Sequence, residues 1–480
     1  MFQKNNFPLF MPVDSSDSPA ATYNANILRK AKEFIAAKKQ QSQSVLIIFL
    51  SFFLTSTGYL AWLRCLLSLM PEGTPELLAM GLGYFFQSLG LALFAYISLK
   101  EPSKATKKSF YFCLLTYISC AILSILIPSR LLMVLFGAIT NIICGIIAGF
   151  YLYLLGNASP SQQARIFGIG YAIATIASWL FSLIEQVLPQ SPIFPICLMV
   201  VLTIMLCFSI RRQQLTSYDS TTRPDIATIK NELIIASVIV FLSSIVNHIG
   251  FSFPSSDIKN GINLELLRLF YALGLLIAGH VNDRNRKHGA ILAFGALILP
   301  FVNLSLKNET VNASALWSLG YLSSGFFSVY RIILFMDIAR KYNSPYLVVF
   351  GLLFGRLGES LGATLCYVLS NNVIILICLA AILYAITTSF FFRLYQTQFT
   401  PVEEPHKDEE NRFEKFTEQY ELSPREKEIL TLLLEKETTP SIAEKLFVTE
   451  STVKFHIHNL LHKTHCKNRK ELSALFHSQP

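Results

Sequence analysis

The chain has 480 residues, of which 52% are hydrophobic and only 15% are charged. Soluble domains carry about 25% charged residues, so this composition lacks the polar surface a water-soluble fold needs and points to a polytopic membrane protein. Forty Lys and Arg against 31 Asp and Glu leave a formal charge of +9, which suits either nucleic acid or an anionic leaflet. Of the nine cysteines, all but Cys466 lie inside apolar runs and none pairs at a metal-like spacing. They read as small buried hydrophobes, and neither a metal nor a cofactor is expected.

Residues 1–43 are polar and the first apolar run is long enough to span, so no cleaved signal is expected. A membrane helix needs about 20 mostly apolar residues. By that rule about twelve spans are predicted, at 44–66, 77–99, 109–127, 131–155, 166–188, 193–210, 232–253, 265–282, 288–305, 313–337, 346–369 and 372–395. Basic residues collect in every second connection. The N-terminal segment holds Arg29, Lys30 and Lys32, and later connections hold Lys104 with Lys107, Arg165, Arg211 with Arg223, Arg284 with Lys287, and Arg340 with Lys341. The alternate connections offer only Arg130, Lys259 and Lys307. The positive-inside rule then places both chain ends in the cytoplasm, with the spans in a bacterial inner membrane.

The longest interior connection, Arg211 to Asn231, divides the spans into six and six. That division, together with "GHVNDRNRK" from Gly279 to Lys287, resembles the major facilitator superfamily, whose loop signature runs Gly, Asp-Arg, then a basic pair. Arg286 stands where that family usually has Gly, and the sister loop "LKEPSKATKKS" lacks the Asp-Arg core. The resemblance implies a helix bundle with a central cavity between its halves.

Ionisable residues at lipid depth are costly and usually face a cavity. Arg64, Glu185, His248, Arg331, Arg356 and Glu359 are therefore the candidate cavity residues for a small-molecule ligand. The alternative is structural: Arg356 and Glu359, three residues apart, neutralise each other, while Arg64, Arg268 and Arg331 snorkel from span ends. Gly351, Gly355, Gly358 and Gly362 surround the Arg356–Glu359 pair and suit close helix packing.

After Tyr395 the character changes. Residues 396–420 are charged and net acidic and contain Pro401 and Pro405, as expected of a tether, and 421–480 has the pattern of a small helical domain. "SPRE" gives a capping box from Ser423 and Glu426, "TTPS" makes Thr439 an N-cap, "TEST" makes Thr449 another, and "NRKE" offers a box from Asn468 and Glu471. Only "FVTE" separates the second and third helices, which is helix-turn-helix spacing. Val453, Ile457, Leu460 and Leu461 form one buried stripe. The opposite face carries Ser451, Phe455, His458, Asn459 and His462, flanked by Lys454, a mixture suited to base edges and phosphates. His458 and His462 could be read as zinc ligands, but they belong to that face and no converging set completes a site.

"LSPREKEILTLLLEK", "IAEKLFVTESTVKFHIHNLLHKT" and "NRKEL" resemble the DNA-binding domain of LuxR-type transcription regulators. The resemblance implies a four-helix module whose third helix enters the major groove of double-stranded DNA, usually as a homodimer, with RNA polymerase as a further partner. By matching positions, Lys454, Phe455 and His458 are the base readers, and Thr452, Lys463 and backbone amides grip phosphates. Lys436 replaces a usual turn glycine and Ser441 a usual Glu. No paired carboxylates, nucleophile triad or phosphate loop occurs at a convincing spacing, so an enzyme is not expected. The expected function is a membrane-anchored one-component regulator, with a secondary transporter carrying a regulatory domain as the competing class.

Overall fold

A computed structural model describes residues 19–71, 77–101, 106–187, 191–211, 226–251, 264–299, 313–370, 372–399, 413–434, 437–446 and 448–478. Helix is the regular structure throughout these residues. The chain divides into two compact units, Met1–Gln396 and Thr397–Pro480.

In the first unit α1 is Pro19–Leu69, α2 Leu77–Lys100, α3 Lys107–Leu126, α4 Arg130–Gly156, α5 Gln163–Val187 and α6 Ile193–Arg211. The second half comprises α7 Ile226–Phe251, α8 Leu264–Arg284, α9 Arg286–Gly295, α10 Ala313–Lys341, α11 Pro345–Val368 and α12 Val373–Phe399. Among the described residues ten helices are long and apolar enough to cross a bilayer. Lipid offers no partner to a backbone amide, so each span must satisfy its own hydrogen bonds as a helix. The other two expected spans fall on α8 and α9. Helix α8 has 21 residues, the length of a span, and the side chains of 264–268 lie outside the described residues. Helix α9 has 10 residues, continued by a 3-10 turn at Ala296–Ile298, and the rest of its expected span, 300–305, lies outside the described residues.

The halves meet where α2 packs on α11 and α5 on α8. The α5–α8 crossing is close because Gly168 and Gly279 lack side chains. A Cβ on Gly168 would stand 2.5 Å from the Leu275 carbonyl oxygen, and one on Gly279 2.8 Å from that of Ala164. At one end of this crossing the Asp283 carboxylate accepts hydrogen bonds from the backbone N–H groups of Ala164 and Arg165, both at 2.9 Å, and from Arg165 Nε at 3.2 Å. A carboxylate on the first amides of α5 also meets the positive end of the helix dipole. Arg286, the residue that departs from the loop signature, reinforces the same junction. It donates to the Pro160 carbonyl at 2.6 Å and pairs with Asp337 at 3.3 Å. Arg340 completes the junction by donating to Gln163 Oε1 at 2.6 Å.

The second unit contains α13 Pro424–Leu434, α14 Thr439–Lys445, α15 Glu450–Lys463 and α16 Arg469–Ser478. A further helical stretch, 413–419, precedes them. Its Phe416 is fully buried in one core with Leu422, Leu430, Leu460, Leu472 and Phe476. The tether expected at 396–420 therefore stops short: residues 413–420 pack as part of the domain. A second core joins Ile429, Ile442, Ala443, Val453 and Ile457.

Candidate nucleic-acid interface and membrane cavity

Helix α15 begins where the Thr449 hydroxyl accepts from the Thr452 amide at 3.3 Å. It ends at His465, which takes a left-handed φ of 57° while the Cys466 amide bonds back to the Leu461 carbonyl at 2.9 Å. Between these caps Val453, Ile457 and Leu460 are buried and Leu461 is partly so. That leaves Ser451, Lys454, Phe455, His458 and His462 exposed on the far side, with Thr452 and Asn459 half-buried at its edges. Phe455 is 61% exposed, an uncommon state for a large apolar ring unless a partner covers it. Lys454 lies 3.7 Å from Glu450 with its side chain largely free in solvent.

Lys463, the expected phosphate contact, has partners within the domain. Its ammonium donates to Glu426 Oε2 and to the Glu421 carbonyl, both at 2.8 Å. It thus ties the end of α15 to the start of α13. Glu426 is also the return partner of the capping box, accepting from the Ser423 amide at 2.8 Å. Burial disfavours its ionised form, but the hydrogen bonds from Lys463 and Ser423 outweigh that and hold the carboxyl below the usual Glu value. A depressed folded value means the contribution is complete at neutral pH and is lost as pH falls through about 4 and below. Denaturant unfolding of residues 400–480 is expected to show lower stability at about pH 3.5 than at about pH 7, with the difference reduced in Glu426→Gln. An identical pH dependence in parent and variant would contradict this role.

The start of α14 also differs from expectation. Thr438 is the N-cap, without a side-chain cap bond, and Thr439 is the first helical residue, whose hydroxyl accepts from Arg469 at 2.5 Å. Ser441 donates to Glu437 Oε2 at 2.7 Å, which gives the residue at the departed family position a local partner. Lys436 lies outside the described residues. At α16 the Glu471 amide donates to Asn468 Oδ1 at 2.9 Å, and the return bond comes from Lys467 rather than Asn468.

The membrane unit encloses a cavity of about 300 Å³ bounded by α1, α2, α4 and α5 of the first half and by Tyr271, Leu352 and Arg356 of the second. Its walls are aromatic. Phe52 and Tyr171 stack at 3.9 Å, Tyr271 meets Tyr171 edge-on at 5.7 Å, and Tyr84 lies under the Arg356 guanidinium at 4.4 Å. Polar groups are few: Gln87 donates to Asn141 at 2.8 Å, and the Ser56 and Ser178 hydroxyls bond to each other.

Among the described residues, Arg356 alone of the expected ionisable side chains lines the cavity. Behind it stand Glu359 and Arg331. Arg356 Nη1 donates to Glu359 Oε2 and Arg331 Nη1 to Oε1, both at 2.6 Å. The expected Arg356–Glu359 pairing is present, but Arg331 does not snorkel: it is 4% exposed and committed to the same carboxylate. His248 is buried edge-on against Tyr84 at 6.2 Å. Arg64 is half-buried on α1, two turns beyond Ser56, and is not on the cavity wall. The Glu185 side chain lies outside the described residues. The aromatic lining was missed in the sequence because a tyrosine on a membrane helix serves packing, interface or cavity equally well.

Two six-helix halves around a cavity, joined in one chain to a helix-turn-helix module, define a multi-pass membrane protein with a DNA-binding type of terminal domain. Residues 420–476 match the family model of bacterial regulatory proteins, luxR family. The spore germination protein GerE of Bacillus subtilis is 42% identical over 50 residues, which is 68% of that protein and 10% of this chain. The chain belongs to the luxR family through this domain. The nitrate/nitrite response regulator NarL of Escherichia coli (strain K12) is 39% identical over 59 residues, 12% of this chain, and the chain spans 27% of its length. The nucleoside transporter NupG is similar in structure with a TM-score of 0.51 and 15% identity, over 75% of this chain and 100% of NupG. At that identity the likeness concerns the fold. A regulator domain and a transporter-like fold are neither of them enzymes.

Proposed function

We propose that this protein is a membrane-anchored, one-component transcription regulator whose α15 reads double-stranded DNA and whose cavity receives a small-molecule signal. The observation that carries the reading is the exposed Lys454, Phe455 and His458 ridge on α15 within a luxR-type domain. Lys454, Phe455 and His458 address base edges, while Ser451, Thr452 and Asn459 flank them toward the backbone. Lys463 acts on this reading through Glu426, orienting α15, rather than on a phosphate. The basic even-numbered connections support a topology with both termini on the cytoplasmic side of a bacterial inner membrane, where the chromosome is within reach. A second copy on a paired half-site and RNA polymerase are the protein partners. Ligand in the cavity shifts the balance between arrangements of the two halves, and the Asp283 junction is one of the contacts that differ between them.

Anisotropy titration of residues 400–480 against a selected operator and a scrambled duplex tests the DNA reading. Affinity is expected to fall steeply with salt. Lys454→Ala is expected to cost about 1–3 kcal/mol on the operator and little on the scrambled duplex. Equal losses on both sequences would reassign Lys454 to the phosphate backbone.

The transporter-like fold and the hydrogen-bonded junction between its halves favour one second reading, a secondary transporter with an appended regulatory domain. Proteoliposomes of the full chain separate the two. Saturable uptake of a labelled nucleoside, the cargo named for NupG, would favour transport, and a flat trace at all concentrations favours sensing.

A further inference from the structure

The geometry points to an anion-selective cavity: the ligand is a compact monoanion with a flat apolar body, its charge held against Arg356. This inference rests on reading the cavity as a ligand site and names the chemistry of what enters it.

The reason is a charge imbalance. Arg331 on α10 and Arg356 on α11 both end on one carboxylate, Glu359. Among the described residues no other acidic side chain pairs with either arginine. A guanidinium keeps its proton in any protein environment, so the cluster carries one positive charge in excess. Arg331 and Glu359 are 4% and 9% exposed, so the surplus can meet a counter-charge only through Arg356, whose side chain is 15% exposed. The Nε atoms of both arginines are buried without a hydrogen-bond partner. Tyr84 meets Arg356 with a ring face and not a carboxylate, and His248, edge-on to Tyr84, can only add positive charge. A buried unpaired charge is strongly disfavoured, and an anion supplied from outside corrects it.

The surplus has one outlet. Of the three clustered residues only Arg356 reaches the cavity wall. Around it Phe52, Tyr84, Tyr151, Tyr171 and Tyr271 present ring faces and edges, which suit a planar apolar body. The volume of about 300 Å³ sits at the small end of ligand pockets, so the body is of the order of one ring with a short arm.

The test uses the purified full chain in detergent at neutral pH, without DNA. Benzoate, phenylacetate and 3-phenylpropionate are titrated by calorimetry, each against its uncharged amide and its amine analogue, with sodium chloride alone as a further arm. At least one carboxylate is expected to bind saturably and at least tenfold more tightly than its amide, with no saturable binding of the amine. Arg356→Gln leaves Arg331 and Glu359 as a neutral pair and is expected to abolish the carboxylate's advantage, while Arg356→Lys retains part of it. Equal binding of amide or amine, no binding by any of the three carboxylates, chloride binding as tightly as the best of them, or a carboxylate preference that survives Arg356→Gln would each overturn the inference. Should Arg356→Gln fail to fold, the charge series on the parent protein decides alone. Because the readout needs no DNA, its failure leaves the DNA reading standing, and a failed operator titration leaves this one standing.

Discussion

Replacing Glu359 by Gln is expected to destabilise the membrane domain by about 3–5 kcal/mol, the usual consequence of stripping a buried ion cluster of its only counter-charge. Glu359 is bonded at 2.6 Å to Arg331 on one oxygen and to Arg356 on the other, so its loss strands two guanidiniums together. Arg331→Met should be milder, because it removes the surplus charge and leaves Arg356 and Glu359 as a neutral pair. The order of the two effects is the informative quantity. Thermal unfolding of both variants in the same detergent measures it. If Arg331→Met proves the more damaging, Arg331 is acting through packing against Phe327 and α11 rather than through charge, and the surplus-charge argument fails.

Leu460→Ala is expected to remove DNA binding at every sequence. Leu460 is fully buried at the junction of α15 with Phe416, Leu430 and Leu472. Truncating such a side chain typically costs about 2–5 kcal/mol. A domain of this size is stable by only a few kcal/mol, at roughly 0.05–0.15 kcal/mol per residue. Much of the population should therefore be unfolded at growth temperature, which circular dichroism of residues 400–480 would record as a lowered melting midpoint. Insertion of the membrane unit, which has its own core, should be unchanged. Lys454→Ala is the contrasting case, since an exposed side chain can be lost without touching that core. A Leu460→Ala domain that melts like the parent yet fails to bind would mean that Leu460 faces DNA and that α15 is rotated from the orientation described.

Much of this architecture was legible because lipid imposes a length. Ten apolar runs of the predicted extent are helices long enough to span, and the other two fall on the 21-residue α8 and on α9, each only partly within the described residues. In the terminal domain the caps at Ser423 and Thr449 and the Val453–Ile457–Leu460 stripe stand where spacing put them. The start of α14 shifted from Thr439 to Thr438 because two threonines precede Pro440 and either can occupy the cap.

Composition hides period in one segment, and distance along the chain hides partners in two others. Residues 413–420 are charged overall and read as tether, yet Phe413, Phe416 and Tyr420 recur at helical spacing and pack on one face. Arg331 reads both as a cavity residue and as one snorkelling from a span end, because charge alone does not report depth. Its partner Glu359 lies 28 positions away, on the next helix, and nothing local announces it. Lys463 matches a phosphate-gripping position by family pattern, and the fold adds a partner within the domain, Glu426.

The most direct test of the account is the side of the membrane on which the terminal domain lies. With an epitope tag fused after Pro480, intact spheroplasts treated with protease should leave the tag whole, and permeabilised ones should lose it. Digestion of the tag in intact spheroplasts would put the helix-turn-helix outside the cell, where there is no chromosome to read.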